Sequence, residues 1–329
     1  MSVSVYRDVS RAQFSGEICP ANRPAVLKGM AGDWPAVAAG RASDEALVAY
    51  LKARDNGQVA GVYVGAPDIN GHFFYGADTK SENFRYGPAP IPQALDRLIT
   101  EKANARPTSV YVQSAELFRH MPQVRAENHL DLLPDTVEPR IWIGNRTVTR
   151  AHYDLNHNLA CVVTGRRKFL LLPPDQLPNM YPGPFDRTIG GVPVAMVDPE
   201  APDLDRYPRF AFAQASMMEV ELEPGDGLYI PYGWWHQVRS LSAFNVLVNY
   251  WWDDAPAMAA QPYDALFHSL LALRDMPEGH KALWKSVFNY YVFNDEALSH
   301  LPPGDRGSLG DLTPELVARI KANLKKGLG

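Results

Sequence analysis

Short apolar segments alternate with turn-forming residues between residues 140 and 252, and this spacing limits the folds that the chain can adopt. Glycine and proline separate the segments, as at Pro173-Pro174 and Pro224-Gly225. Short strands bounded by turns at this density predict an all-β sandwich or barrel. Proline accounts for 28 of the 329 residues, which disfavours a bundle of long helices. The predicted strands are Arg140–Val148, Asn158–Val163, Lys168–Leu172, Met217–Leu222, Gly227–Pro231 and Phe244–Trp252.

A long segment, Asn179–Ser216, interrupts these strands and is called the insert below. It contains six prolines, among them Pro182 and Pro193. A connection of this length inside a compact domain is usually a lid or a binding loop. We therefore expect the insert to lie near the place where a substrate enters.

The segments on either side of the strands have a different pattern. Helical spacing and strand patterns alternate before residue 136, and the apolar spacing after Trp252 is helical. We expect an N-terminal α/β extension over residues 1–135, a β core over 136–254 and a helical segment over 255–329. The predicted elements outside the core are helices at Asp44–Ala53, Ile91–Thr100, Tyr263–Arg274, His280–Tyr291 and Thr313–Lys325, and strands at Val59–Val64 and His72–Tyr75.

Charge and cysteine content exclude several classes of protein. The formal net charge is −5, so the chain as a whole lacks the basic surface typical of nucleic-acid binding. Two cysteines, Cys19 and Cys161, are too few for a disulfide framework or a cysteine-rich zinc site. The first residues show no signal peptide, and no apolar run approaches the ~18–20 residues of a membrane span. We expect a cytoplasmic protein that does not bind membranes.

A possible metal site lies at His152 and Asp154. Side chains two residues apart in an extended chain point to the same side, so this imidazole and carboxylate face a common point. His236, after the predicted strand Gly227–Pro231, is the candidate third ligand. Two histidines and one carboxylate form the facial triad that leaves three positions open on Fe(II). His129-Leu130-Asp131 repeats the spacing without a strand context, and the alternative for His152 and Asp154 is a hydrogen-bonded pair at the barrel mouth.

Several motifs resemble one known family. Ala151-His152-Tyr153-Asp154, Leu172-Pro173-Pro174-Asp175-Gln176 and Trp234-Trp235-His236 are similar to motifs of the cupin-like JmjC oxygenases, and especially to asparaginyl hydroxylases of the factor-inhibiting-HIF type. The resemblance implies a mainly β fold, with a double-stranded β-helix (cupin or jelly-roll) core, N-terminal α/β additions and C-terminal helices. It also implies Fe(II) as the metal, 2-oxoglutarate as the co-substrate and O2 as the oxidant. Family members often form homodimers through the C-terminal helices, and the same is expected here.

The resemblance assigns roles to individual residues. His152, Asp154 and His236 correspond to the iron ligands. The residues that correspond to co-substrate contacts are the hydroxyls of Tyr111 and Thr149 and the amides of Asn158 and Asn249.

The co-substrate anchor departs from the family pattern. The family usually has a lysine two residues after the glycine that corresponds to Gly165, and this chain has Arg167 there, followed by Lys168. Strand alternation sends the two side chains to opposite faces and points Arg167 inward. An arginine can bind a carboxylate through two hydrogen bonds, whereas a one-residue bulge would turn Lys168 inward instead.

These observations lead to one preferred function and three alternatives. We expect a 2-oxoglutarate-dependent dioxygenase that hydroxylates a side chain of a protein or peptide substrate. The alternatives are hydroxylation of a tRNA base, hydroxylation of a small metabolite, and a cupin that binds metal without turnover. A nucleic-acid substrate remains an alternative because the chain has a basic cluster at Arg146, Arg150, Arg166, Arg167 and Lys168.

Overall fold

The computed structural model describes residues 2–255 and 260–328. The chain forms two compact units, Met1–Asp253 and Asp254–Gly329. Among the residues that the structure describes, no helix combines the length and the apolar content needed to cross a membrane.

The first unit is built on two β-sheets. One sheet has nine strands in the order β1-β2-β12-β9-β14-β7-β6-β3-β5, and the other has five in the order β11-β10-β13-β8-β4. The strands are β1 (Ser4–Arg7), β2 (Ala25–Lys28), β3 (Val59–Gly65), β4 (His72–Phe73), β5 (Phe84–Pro90), β6 (Ser109–Glu116), β7 (Pro139–Gly144), β8 (Val148–Tyr153), β9 (His157–Thr164), β10 (Arg167–Leu172), β11 (Met218–Leu222), β12 (Gly227–Ile230), β13 (Trp235–Ser240) and β14 (Asn245–Trp252).

The two sheets face each other across an apolar layer. Phe169 and Leu171 of the five-stranded sheet pack against Ala160, Val162 and Leu247 of the nine-stranded sheet. Alternate residues of each strand therefore point into this layer, as in a sandwich of two sheets. A cavity between the two sheets shares Ala160, Phe169 and Leu247 with this layer.

Helices cover the outer face of the nine-stranded sheet. Leu47 and Leu95 belong to one buried cluster with Leu159, Cys161 and Val163 of β9. Because β9 is buried on both faces, it reads as a continuous apolar run. The helices of the first unit are α1 (Arg11–Gln13), α2 (Pro35–Ala42), α3 (Asp44–Lys52), α4 (Ile91–Glu101), α5 (Leu117–His120), α6 (Pro122–Glu127) and α7 (Phe210–Gln214).

The insert covers the outer face of the five-stranded sheet. Met180, Val197 and Phe210 of the insert form a buried cluster with Leu172 and Trp235 of the sheet. This contact explains how a proline-rich segment with little regular structure is held in place, since its apolar side chains replace water on the sheet surface.

The described residues of the second unit form three α-helices, α8 (Pro262–Leu273), α9 (Glu278–Tyr291) and α10 (Pro314–Leu328). The helices predicted at Tyr263–Arg274, His280–Tyr291 and Thr313–Lys325 are therefore confirmed to within a few residues. Those predicted at Asp44–Ala53 and Ile91–Thr100 coincide with α3 and α4.

One predicted strand was wrong in its bounds, and β1, β2, β5, β6 and β13 were not predicted as strands. The segment Arg140–Val148 is not one strand, because β7 ends at Gly144 and a turn leads to β8 at Val148. Strand β13 was missed, because Trp234-Trp235-His236 follows the turn at Tyr232-Gly233 without an alternating polar pattern. The missed strand β13 carries the predicted metal ligand His236.

Candidate active site

The three predicted metal ligands lie together at one end of the cavity. His152 lies on β8, Asp154 follows that strand, and His236 lies near the start of β13. The β8–β13 register places His152 directly opposite His236. The Nε2 atoms of His152 and His236 lie 3.8 and 3.6 Å from the carboxylate oxygens of Asp154. One ligand atom from each residue falls within a group no wider than 4.8 Å.

Backbone carbonyls orient both imidazoles. Nδ1 of His152 donates to the carbonyl of Arg150 at 2.7 Å, and Nδ1 of His236 donates to the carbonyl of Trp234 at 3.0 Å. Each bond leaves Nε2 as the free lone pair, an arrangement common in metal-binding histidines. Burial, helped by the neighbouring His152, lowers the pKa of His236 to about 4, although Asp154 acts in the opposite direction. His236 is therefore neutral near pH 7, as a metal ligand must be.

The carboxylate of Asp154 tests whether this group of residues suits a metal ion. Its Oδ2 atom is buried and finds no hydrogen-bond partner among the described residues. An unsatisfied buried carboxylate oxygen is costly, and a cation between the two imidazoles would satisfy it. The donor set of two imidazoles and one carboxylate matches Fe(II) in the facial-triad proteins.

A β-bulge brings Thr149 to the same cavity as His152. Val238 pairs with Thr149 and His236 with His152, so two residues of β8 lie opposite the single residue Gln237. Without the bulge, side chains three positions apart on a strand would point to opposite faces. The irregularity therefore places both a hydroxyl and an imidazole in the cavity.

The structure brings all but one of the predicted site residues to this cavity. Besides the three metal ligands, the cavity is lined by Tyr111, Thr149, Asn158, Arg167 and Asn249. Apolar side chains complete the wall: Trp142, Ala160, Phe169, Val238, Leu247 and Trp251.

Arg167 is a buried cation at the start of β10, with only 2% of its surface exposed. Its Nε and Nη2 atoms have no hydrogen-bond partner within residues 2–255 and 260–328. Burial lowers the pKa of Arg167, while the adjacent Tyr111 hydroxyl acts in the opposite direction. A guanidinium stays charged in proteins, so the cavity contains a cation that an anionic ligand would stabilise.

Lys168 lies on the other face of β10 and is the predicted residue that the structure does not bring to the cavity. Its Nζ atom lies 2.5 Å from Oε1 of Glu200 in the insert. The strand is regular at this point, with Arg167 paired to Ser240 and Lys168 to Arg239. The bulge that would turn Lys168 inward is therefore not present in β10.

The two asparagines form a hydrogen-bonded chain with a tryptophan that the sequence did not single out. Nδ2 of Asn249 donates to Oδ1 of Asn158 at 3.1 Å, and Nε1 of Trp142 donates to Oδ1 of Asn249 at 2.7 Å. Trp142 alternates with Ile141 and Ile143 of β7, which are in the core beneath the helices. That alternation was the signal that could have placed Trp142 on the cavity side.

The insert also forms a roof over the metal ligands. Ile189, Gly190, Val192 and Val194 line a second cavity together with Tyr63, Gln113, His152 and Asp154. The roof is tied down by Tyr63, whose hydroxyl donates to the carbonyl of Ile189 at 2.8 Å. This space is the opening that leads from the insert to His152 and Asp154.

The second His-x-Asp motif is a surface pair. Nε2 of His129 lies 3.1 Å from Oδ1 of Asp131, and both side chains are largely exposed. Within the described part of the chain, His152, Asp154 and His236 form the only group of three His, Cys, Asp or Glu residues close enough to share a metal ion.

The five residues of the basic cluster do not form one surface. Arg150 is buried and pairs with Asp198, Arg167 lies in the cavity, and Lys168 pairs with Glu200. Arg166 lies beside Glu221 at 3.5 Å. The continuous basic patch suggested by the sequence is therefore absent from these residues.

Comparison with known proteins identifies the family. The family described as a cupin-like domain matches residues 11–258. The chain belongs to the cupin-like family. Three curated proteins are similar in sequence to this cupin-like protein. It is 43% identical to the lysine-specific demethylase JMJ31 of Arabidopsis thaliana over 34% of the chain and 20% of that relative. It is 33% identical to the bifunctional peptidase and (3S)-lysyl hydroxylase JMJD7 of Homo sapiens over 50% of the chain and 59% of that relative.

The third relative matches over a longer stretch. The tRNA wybutosine-synthesizing protein 5 of Danio rerio is 28% identical over 78% of the chain and 77% of that protein. By contrast, the chain spans less than two thirds of the length of JMJ31 and JMJD7. The expected membership of the cupin-like JmjC oxygenases and the mainly β, jelly-roll fold are confirmed. The narrower resemblance to asparaginyl hydroxylases stays a prediction.

Proposed function

We propose that this cupin-like protein is an Fe(II)- and 2-oxoglutarate-dependent oxygenase that hydroxylates a side chain of a protein. The observation that carries the proposal is one cavity with two complementary unsatisfied groups. Among the described residues, a buried carboxylate oxygen of Asp154 has no hydrogen-bond partner beside His236, and the buried guanidinium of Arg167 lies four positions along β10 from Leu171, which pairs with His236. A divalent cation and a dicarboxylate would satisfy both.

Different side chains would bind the metal and the co-substrate. His152, Asp154 and His236 would hold Fe(II), which when bound supplies the activation of O2 that protein side chains cannot perform. Arg167, with the hydroxyls of Tyr111 and Thr149, would bind the distal carboxylate of 2-oxoglutarate.

The overall reaction is balanced without a further reductant. One O2 and one 2-oxoglutarate would give succinate, CO2 and a substrate whose C–H bond has become C–OH. The apolar wall around the cavity, including Trp142 and Trp251, would keep water away from the reacting atoms. The roof residues Ile189 and Val194 would hold the substrate side chain over the metal.

The test compares the two His-x-Asp motifs of the chain, and the surface motif at His129 supplies the matched control. Purified protein is incubated with Fe(II), 2-oxoglutarate and cell extract, and succinate and +16 Da products are measured by mass spectrometry. We expect both products with the wild type and with His129→Ala, and neither with His152→Ala. Equal succinate from all three proteins, or none from the wild type with a broad panel of peptides and RNAs, would contradict the proposal.

A protein substrate is supported by relatives and by the distribution of charge. JMJD7 is named as a lysyl hydroxylase and JMJ31 as a lysine-specific demethylase. The dispersal of the basic cluster removes the feature that favoured a nucleic-acid substrate.

Hydroxylation of a tRNA base is the second candidate, and one observation favours it. The wybutosine-synthesizing relative matches 78% of the chain, more than JMJD7 or JMJ31 do. If tRNA is the substrate, the product appears in the RNA fraction of the extract, and binding weakens steeply as salt is raised. Product in the peptide fraction alone excludes this candidate.

We further propose that the C-terminal helices form a homodimer. Helices α8 and α9 contain no buried residue among those described, and they expose large apolar side chains such as Leu271, Leu283 and Trp284. Leu266, Leu270, Trp284 and Phe288 line one groove between these helices, and a second copy of the same helices would cover their apolar surface.

A further inference from the structure

Two carboxylates of the insert, Asp198 and Glu200, contact the five-stranded sheet on the face opposite the cavity. They are two residues apart, and Oδ1 of Asp198 accepts a hydrogen bond from the backbone N–H of Glu200 at 3.1 Å. This bond fixes the position of one carboxylate relative to the other. The pair follows the roof residues Ile189–Val194 closely in the chain.

Glu200 contacts two neighbouring strands at once. Its Oε1 lies 2.5 Å from Nζ of Lys168 on β10, and its Oε2 accepts from Nε of Arg239 on β13 at 2.6 Å. Nε2 of Gln237 donates to the same Oε2 at 3.3 Å. Lys168 follows Arg167 and Gln237 follows His236, so each contact lies one residue from a cavity side chain on the other face.

Asp198 contacts the third strand. Its Oδ2 accepts a hydrogen bond from Nη1 of Arg150 on β8 at 2.7 Å. Arg150 also donates to the carbonyl of Met196 at 3.4 Å, so it holds the insert at two points. The carbonyl of Arg150 is the group that orients the imidazole of His152.

We propose that Asp198 and Glu200 are positioning residues that couple the roof of the substrate opening to the alignment of the metal ligands and Arg167. This inference rests on the proposed function. When the insert is seated, the two carboxylates hold β10, β13 and β8 in one arrangement. When the insert lifts, the three strands lose their common contact, and the ligands on their inner face lose alignment.

The charges on the sheet show why Glu200 is needed there. Lys168 and Arg239 lie directly opposite each other in the β10–β13 register, and like charges in that position are destabilising. Glu200 lies between them as the shared counter-charge. Burial acts to raise the pKa of Glu200, but the hydrogen bonds from Arg239 and Lys168 outweigh it and hold the pKa below its usual value.

Hydrogen exchange of the metal-free full chain tests the coupling. Asp198→Asn and Glu200→Gln keep the side-chain shape and remove the charge. We expect exchange to rise about five- to tenfold in peptides covering residues 187–196 and also in β8 and β13, as expected for a weakened cooperative unit. The matched control is Glu219→Gln, because Glu219 lies 3.9 Å from Lys168 and is exposed. Faster exchange confined to residues 198–201, or an equal rise in the control, would overturn the inference.

Titration with Co(II) alone, at a temperature well below unfolding, supplies the second readout. We expect the Kd for Co(II) to rise about three- to tenfold in Asp198→Asn and Glu200→Gln, less than the 10–100-fold typical of groups that bond to a ligand directly. A purely structural role would lower the melting temperature and leave this Kd unchanged, which would refute the coupling. A wild type that does not bind Co(II) would refute the proposed metal centre instead, and the exchange data would still decide the coupling.

Discussion

Replacing Arg167 by methionine should have opposite effects on stability and on co-substrate affinity. Arg167 is 2% exposed and has no carboxylate partner among the described residues. Removing an uncompensated buried charge, while keeping an apolar side chain of similar length, should raise the free energy of unfolding of the ligand-free protein by about 1–3 kcal/mol. Few substitutions of a proposed binding residue are expected to stabilise a protein in this way.

The loss in affinity follows from the hydrogen bonds that the guanidinium can make. A hydrogen bond to a charged group contributes about 1.5–3 kcal/mol, so two bonds to a carboxylate contribute at least about 3 kcal/mol. This value corresponds to about a hundredfold rise in the KM for 2-oxoglutarate. The kcat at saturating 2-oxoglutarate should change little, because the distal carboxylate lies away from the reacting atoms. Arg167→Lys keeps the charge but loses the paired hydrogen bonds, so its KM for 2-oxoglutarate should lie between those of the wild type and Arg167→Met.

The assay combines succinate formation against 2-oxoglutarate concentration with unfolding in urea. Lys168→Met is the matched control, because Lys168 is the adjacent cation on the opposite face. It should leave the KM for 2-oxoglutarate within about threefold of wild type, since it makes no contact with the ligand, and it should lower stability by about 1 kcal/mol through the loss of its bond to Glu200. A larger KM effect at Lys168 than at Arg167, or a destabilised Arg167→Met, would show that the assignment is wrong.

Three further predictions concern other parts of the molecule. Asp154→Asn should weaken Co(II) binding at least about a hundredfold, because a neutral amide replaces the only anionic ligand, whereas Asp131→Asn should have no effect in the same titration. Thr149→Val should raise the KM for 2-oxoglutarate about tenfold, through the loss of one hydrogen bond to a carboxylate, with kcat retained; an unchanged KM would remove Thr149 from the site. Leu271→Glu, at a side chain that is 81% exposed, should convert a dimer to a 36.6 kDa monomer in light scattering, and a wild-type monomer would refute the proposed interface.

Strand alternation, turn residues and apolar spacing were sufficient to predict features that depend on residues close together in the chain. Alternation along an extended strand predicted that His152 and Asp154 face a common point, and the structure has their ligand atoms close together. Turn residues and apolar spacing predicted most of the strands and all three C-terminal helices. These features depend on backbone geometry over a few residues, which the amino-acid sequence states directly.

These local patterns could not predict which distant strands pair with each other. The N-terminal strands β1, β2, β3, β5 and β6 belong to the same nine-stranded sheet as the core, and nothing in their local pattern predicted that. Thr149 and His152 share a cavity only because the register between β8 and β13 shifts at Gln237. A register shift is set by a partner strand more than 80 residues away in the chain, so a single strand's sequence does not contain it.

The dipeptide Arg167-Lys168 shows both what the sequence predicts and what the tertiary structure decides. The sequence by itself determined that two adjacent cations start β10 and that one of them must face inward. Strand register favoured Arg167, and the tertiary structure decided against the alternative bulge: β10 is regular there, Glu200 of the insert gives Lys168 a counter-charge on the outer face, and Arg167 is buried beside the hydroxyl of Tyr111. The counter-charge of Lys168 comes from a segment that folds back onto the sheet, and the local sequence of β10 does not contain that information.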